Sequence, residues 1–262
     1  MLKTRMIPTM LWKNFGLAKG VSFDSWRRVG TVLPSIRVYT LRQVDEIIFV
    51  DISATLEGRV PDYGSIAEFT EECNVPMTVG GGIREVEHVK MLLRSGADKV
   101  SVNSSTYERP ELVREAARSF GSQCIIASID VRRHANGSYE CFKNAGKSPT
   151  GKDPVEWARF METMGAGEIL LTSIERDGTM TGYDVDLIRR VTSSVTIPVI
   201  ASGGAGNYEH MYQAYLAGSS ALAAASIYHF TEQTPLEAKR YLAERGVPVR
   251  IVGSRTNPSN SK

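Results

Sequence analysis

The sequence predicts an α/β protein, a single (β/α)8 TIM barrel built from two repeated half-barrels, on three observations. The stretch Pro76–Ser104 returns at Pro198–Ser226 in constant register: Pro76 with Pro198, Gly81 with Gly203, Gly82 with Gly204, His88 with His210, Gly96 with Gly218, Ser104 with Ser226. Each copy reads as a short apolar run, a glycine cluster, an amphipathic stretch and a second apolar run, which is strand, tight turn, helix, strand. So long a period with that content fits halves of one barrel, not a solenoid of short repeats. Finally, 262 residues is close to the roughly 250 that one (β/α)8 barrel takes.

In order, Arg5 to Leu11 is the first strand, and Leu17 to Thr31 is a connection too polar and irregular to be core. Leu33 to Gln43 is helical. Glu46 to Ile52 (EIIFVDI) is a continuous apolar run, as expected of a parallel strand buried on both faces. Asp62 to Glu72 is its helix. The first repeat supplies strands at 76–80 and 98–103, and Arg109 to Phe120 is the helix after them. Gln123 to Asp130 (QCIIASID) opens the second half, with Cys124 as core. Pro154 to Met164 is helical, Glu168 to Ser173 is a strand, the second repeat adds two strands, and Pro235 to Arg245 closes the ring. The barrel is assigned to residues 1–253 and a flexible polar tail to 254–262.

Composition narrows the function. A net charge of +2 gives no basic field for nucleic acid. Cys73, Cys124 and Cys141 have neither paired nor metal-like spacing, so no metal site is expected and a reducing compartment is. Lys3 and Arg5 are followed by no sustained apolar run, which argues against a signal peptide or membrane span and for a cytoplasmic protein.

Chemistry in such barrels sits at the carboxyl ends of the strands. Gly80, Gly81 and Gly82, and Ser202, Gly203 and Gly204, directly follow strands, where glycine lets backbone N–H groups approach an anion. Asn103 and Ser104, and Ala225 and Ser226, end the next strand of each repeat. Two such cradles in register point to a doubly phosphorylated ligand. Asp177, Gly178 and Thr179 either join the second cradle or form a plain turn. Asp51 and Asp130 are strand-end carboxylates, and Asp130 reads as a general acid or base, with a helix cap or loop anchor as the alternative. Arg5, Glu46, Lys99 and Glu168 all begin strands, so two positive and two negative charges share the opposite rim. His88 and His210 read as solvated helix residues, and His134 and His229 as loop residues. Trp12 either covers the reactive opening or packs against the first loop.

The motifs EIIFVDI, TVGGGIR, GADKVSVNS, FGSQ, SID, GAGEILLTSIERDGT, GYD and IASGGAG together resemble the HisF family, the cyclase subunits of imidazole glycerol phosphate synthase, over roughly residues 3–252. That resemblance implies a barrel that takes ammonia from a HisH-type glutaminase and adds it to a bis-phosphorylated ribulosyl intermediate, without a cofactor. It places one phosphate on Gly81, Gly82, Asn103 and Ser104, and the other on Asp177, Gly178, Gly203, Gly204 and Ser226. It makes Arg5, Glu46, Lys99 and Glu168 an ammonia gate, with Thr78, Ser101 and Thr172 as small polar candidates for the channel above.

One position departs from the family. Its first strand ends in an aspartate that works with the one matching Asp130, whereas this chain has Leu11, which transfers no proton. Lys19 matches a loop lysine of the family, but the neighbouring VSFDSWRRVGTVLPS does not look like the usual cyclase loop. The chain is therefore expected to be a divergent HisF-like paralogue, similar to those that supply ammonia, through a third, amidotransferase enzyme, for an acetamidino group on a surface-polysaccharide sugar. A true cyclase whose missing acid is replaced by a neighbour is the competing reading.

Overall fold

The structure, a computed structural model, describes residues 3–13 and 16–251; the tail assigned to 254–262 lies outside them. Strand β1 (Arg5–Lys13) leads into an antiparallel hairpin, β2 (Gly16–Val21) and β3 (Asp24–Gly30), followed by α1 (Val32–Leu41). Then come β4 (Ile47–Asp51), α2 (Tyr63–Glu71), β5 (Met77–Gly80), α3 (Val86–Arg94), β6 (Lys99–Val102), the short α4 (Ser104–Glu108) and α5 (Glu111–Phe120). The second half runs through β7 (Ile125–Arg133), β8 (Tyr139–Lys143), β9 (Ser148–Pro149), α6 (Pro154–Thr163), β10 (Glu168–Ser173), α7 (Val185–Thr192) and β11 (Val199–Ser202). It closes with α8 (Tyr208–Leu216), β12 (Ala221–Ala224), α9 (Ser226–Phe230) and α10 (Pro235–Glu244).

Strands β1, β4, β5, β6, β7, β10, β11 and β12 pair in that order, all parallel, and β12 returns to β1. This is the predicted (β/α)8 barrel. The repeat holds element by element: β5, α3, β6 and α4 reappear as β11, α8, β12 and α9 with the same lengths and the same offset. Even the joints match. Thr70 Oγ1 donates to the Ser95 carbonyl just before Gly96, and Thr192 Oγ1 donates to the Ala217 carbonyl just before Gly218. The imidazoles of His88 and His210, read from sequence as merely solvated, each accept a backbone N–H at the start of their helix, from Arg84 and Gly206.

The connection Leu17–Thr31 corrects the sequence reading, because it is a hairpin whose inner strand is core. Leu17, Ala18 and Lys19 are buried, and Val21 pairs with Asp24 across a two-residue loop. Such a loop needs two left-handed residues and favours Asn-Gly. Here Ser22 and Phe23 take φ of 51° and 62°, so the turn carries no glycine signature. The second half has a counterpart in β8, antiparallel to β7, and β9, antiparallel to β8. Cys124, expected in a strand core, sits half-buried in a 3-10 turn before β7.

Strand alternation divides the side chains of the ring. Met6, Met10, Phe49 and Val79 face the helices in the main core, while Ile7, Ile48, Ile126, Leu170, Ile200, Ala221 and Ala223 form a separate cluster inside the barrel. Among the described residues no helix is long and apolar enough to cross a membrane.

The joints make a stability prediction. Gly96 and Gly218 have φ of +94° and +99°, and a Cβ on either would press on the hydroxyl of Thr70 or Thr192. Gly96→Ala and Gly218→Ala should each cost about 1–2 kcal/mol, read as a lower midpoint in urea at unchanged slope.

Candidate functional site

At the carboxyl ends of the strands the ring opens into a cavity of about 440 Å3. Gly81, Gly82, Asn103 and Ser104 line one side of it, and Asp177, Gly178, Gly203, Gly204 and Ser226 line the other. Leu11, Asp130, Ser101 and Thr172 line it as well. Thr78 does not; it is fully buried within β5, its hydroxyl without a partner among the described residues.

The glycines have a packing reason of their own. A Cβ on Gly81 would meet the Asp51 carbonyl, one on Gly204 the Gly182 carbonyl, and one on Gly203 would lie 2.7 Å from the Ser173 carbonyl, all at positive φ. Each turn is thus pressed against the loop of the preceding strand, which only glycine allows. What favours an anion is the pair of short helices behind the turns. Asp62, Asp153, Asp184, Asn207 and Thr234 cap α2, α6, α7, α8 and α10; α1, α3, α4, α5 and α9 have no side-chain cap, and of these α4 and α9 begin at the cavity. Their free N–H groups suit a phosphate. Ser226 Oγ is buried there without a partner, and Arg84 on the first cradle has no carboxylate partner among the described residues.

The second side of the cavity already holds a salt bridge. Lys19, on the hairpin, reaches Asp177 with Nζ 2.8 and 2.6 Å from its two carboxylate oxygens, both side chains almost fully buried. Ser22 N donates to the Asp177 carbonyl, and the Gly20 carbonyl sits where a Cβ on Gly178 would be. The hairpin is therefore docked on this cradle, and Phe23 and Trp26 join the cavity wall.

Strands β1 and β7 are diametrically opposed in the ring, so Leu11 and Asp130 stand on opposite walls. Asp130 Oδ2 accepts from Asn103 Nδ2 at 2.9 Å. Desolvation, with the Asp177 charge adding to it, pushes its carboxyl up to about 7. Asp51, the other strand-end acid, is consumed structurally. Its Oδ1 accepts from Ser53 N and Ala54 N, and Arg59 holds its Oδ2 at 2.9 Å. Trp12 faces away from the cavity and packs on Phe49 and Phe69 in the outer core. His229 lies edge-on to Tyr39 and His134 pairs with Glu140; neither lines the cavity.

At the opposite mouth the four strand-start charges form a closed ring. Arg5 pairs with Glu46 and with Glu168 at 2.8 Å, and Lys99 pairs with Glu46 at 2.6 Å and Glu168 at 2.8 Å. Burial opposes ionisation, yet Glu168 and Glu46 hold the Arg5 guanidinium above its ordinary value, and Arg5 and Lys99 pull Glu168 below the usual carboxylate range. Between ring and cavity lies the isoleucine cluster, with a seam of smaller side chains, Thr78, Gly80 and Ser101, along β5 and β6.

Residues 12–234 match the model of a family described as histidine biosynthesis protein. The chain belongs to this family. Membership of the histidine biosynthesis family accounts for a HisA/HisF-type barrel over most of the chain. The pairing of Lys19 with Asp177 was not legible in sequence, since the two stand far apart along the chain and the hairpin joining them has no turn signature. The β8–β9 turn, which brings Asn144 and Ala145 to the cavity, was missed as well. Its only signal was the apolar alternation of YECF after Ser138.

Two outcomes follow from these charges. Asp130 binds its proton more tightly folded than unfolded, so from about pH 4 to 7 the folded state holds the extra proton and stability falls as pH rises. Asp130→Asn should therefore raise stability by roughly 1–3 kcal/mol at pH 8 and have little effect at pH 4, measured by denaturation at both. Lys19→Met strands the Asp177 charge and should cost about 3–5 kcal/mol, most of it recovered in the double variant with Asp177→Asn.

Proposed function

We propose that the chain is a HisF-like barrel that accepts ammonia from a HisH-type glutaminase at its N-terminal face and conducts it to the cavity. A third enzyme would use it there for amidine (acetamidino) formation on a surface-polysaccharide sugar. The observation that carries this reading is the contrast between the two mouths. All four charges of the entry ring are present and mutually paired, while the acid opposite Asp130 is a leucine.

The interior suits such cargo. Ammonia is small and neutral, and loses little in passing an apolar layer of isoleucines and alanines. Ammonium would leave its hydration shell at a large cost. The ring is a closed set of ion pairs, so passage requires one pair to open, and a docked glutaminase could bias that opening. The first glycine cradle, which the hairpin leaves uncovered, would suit a phosphorylated small molecule acting as a signal.

The alternative is an imidazole glycerol phosphate synthase cyclase, an ammonia-dependent lyase and cyclase on the bis-phosphorylated ribulosyl intermediate. It is favoured by one observation: Asp130, titrating near neutrality on the cavity wall, is suited to acid–base work. Cyclase turnover by the purified chain, with excess ammonium salt replacing the glutaminase, separates the two. The expected result is turnover at least about 10²-fold below that of Leu11→Asp. A parent rate equal to or above that of the variant sinks the conduit reading.

A further inference from the structure

Four carboxylates line the cavity: Asp51, Glu108, Asp130 and Asp177. Three have a cation at hand, Asp51 with Arg59, Glu108 with Lys143 and Asp177 with Lys19. Asp130 has none among the described residues; its hydrogen-bond partner is the neutral Asn103 amide. The remaining cation on the wall, Arg84, is solvent-exposed and stands on the first cradle, beside Gly82 and Ile83.

The polar groups around Asp130 are hydroxyls and one amide, each with an oxygen able to accept. Ser128 precedes it by two residues on β7 and shares its face, and Thr172 is its direct neighbour across the β10 pairing. Ser101 and Asn103 share the inner face of β6 alongside. Asn103 spends its Nδ2 on Asp130, which leaves its Oδ1 buried with no donor. Ser101 and Thr172 are themselves more than nine-tenths buried. One wall of the cavity floor thus offers a carboxylate, an amide oxygen and three hydroxyls, while the opposite wall offers Leu11, Val50 and Ala223 with the single hydroxyl of Thr9.

We propose that Asp130, Asn103, Ser101, Ser128 and Thr172 form a binding site for an ammonium ion at the inner end of the conduit. The site rests on the conduit reading above and gives it a terminus. An ammonium ion carries four N–H donors and one positive charge, which matches a wall of acceptors around one unpaired carboxylate. Ammonia that has crossed the apolar layer takes the proton of the Asp130 carboxylic acid, giving ammonium and carboxylate. Return of that proton releases ammonia to an acceptor at the mouth, and no other reactant is consumed. Burial, which holds the Asp130 proton up to about pH 7, supplies a proton donor while the site is empty. Lys19, Asp51, Arg84, Glu108 and Asp177 are the other charged groups on the cavity wall, and Asp177 is neutralised by Lys19. The filled site therefore gains a full charge pair in a desolvated setting.

The probe is ammonium chloride, added to the full chain at pH 8 with sodium chloride holding ionic strength constant. The thermal midpoint should rise saturably with ammonium and not with tetramethylammonium, and 15N-ammonium resonances should broaden on binding. Asp130→Asn should abolish both responses. Thr172→Val and Ser128→Ala, which preserve shape, should weaken apparent affinity by about 10-fold each, consistent with one lost hydrogen bond. An equal response to potassium, a response surviving in Asp130→Asn, or no saturable response in the parent overturns the site. Ammonia transit is scored separately, by feeding glutamine to the glutaminase-bound chain and trapping ammonia at the cavity mouth. Transit without saturable ammonium binding sinks the site and spares the conduit; saturable binding without transit upholds the site and sinks the conduit.

Discussion

Closing eight parallel strands into a ring forces every second side chain into one shared interior, and the rest of this molecule follows from what the sequence puts there. Arg5, Ile7, Thr9 and Leu11 succeed one another up the inner face of β1; Glu168, Leu170 and Thr172 do so on β10. The same alternation on every strand stacks the interior into a charged floor, an apolar middle and a polar mouth. Met6, Met10 and Phe49, one residue out of phase, belong instead to the helix-facing core. A shift of one residue in any strand would exchange the two sets.

Electrostatics then separates structural from chemical groups. The four charges of the floor neutralise one another in a closed ring, which offsets the cost of holding them half-buried. Lys19 and Asp177, Asp45 and Lys239, and Asp51 and Arg59 do the same elsewhere. Asp130 breaks the pattern, since its desolvated carboxyl has an amide partner and no cation. Perturbation of this kind on a cavity wall is where function is most often found, and the ammonium site grows from it.

The two halves of the barrel have diverged at equivalent places. In the second half, β7 brings Asp130 to the cavity and carries the short β8–β9 extension; in the first, β1 brings Leu11 there and carries the β2–β3 hairpin. The hairpin reaches across the cavity to clamp Asp177, so the side of the cavity that carries Leu11 also brings a buried lysine and two aromatic rings, Phe23 and Trp26. The cavity thus has glycine turns on two sides and, on one wall, a carboxylate with no cation beside it among the described residues.

The sequence alone determined the barrel, its half-barrel repeat, the glycine turns and the residues at both mouths, because these depend on local periodicity and on the register of an internal copy. It also set Leu11 against Asp130, since one strand could be read against another. Only the tertiary structure decided what each group faces. The hairpin was invisible because Ser22 and Phe23 adopt left-handed turn conformations that their residue types do not announce. The Lys19–Asp177 bond and the capture of Asp51 by Arg59 depend on loops folding back, and the isolation of Asp130 depends on which strands end up beside it. Pairing between groups distant along the chain is set by the closed ring, and no local pattern carries it.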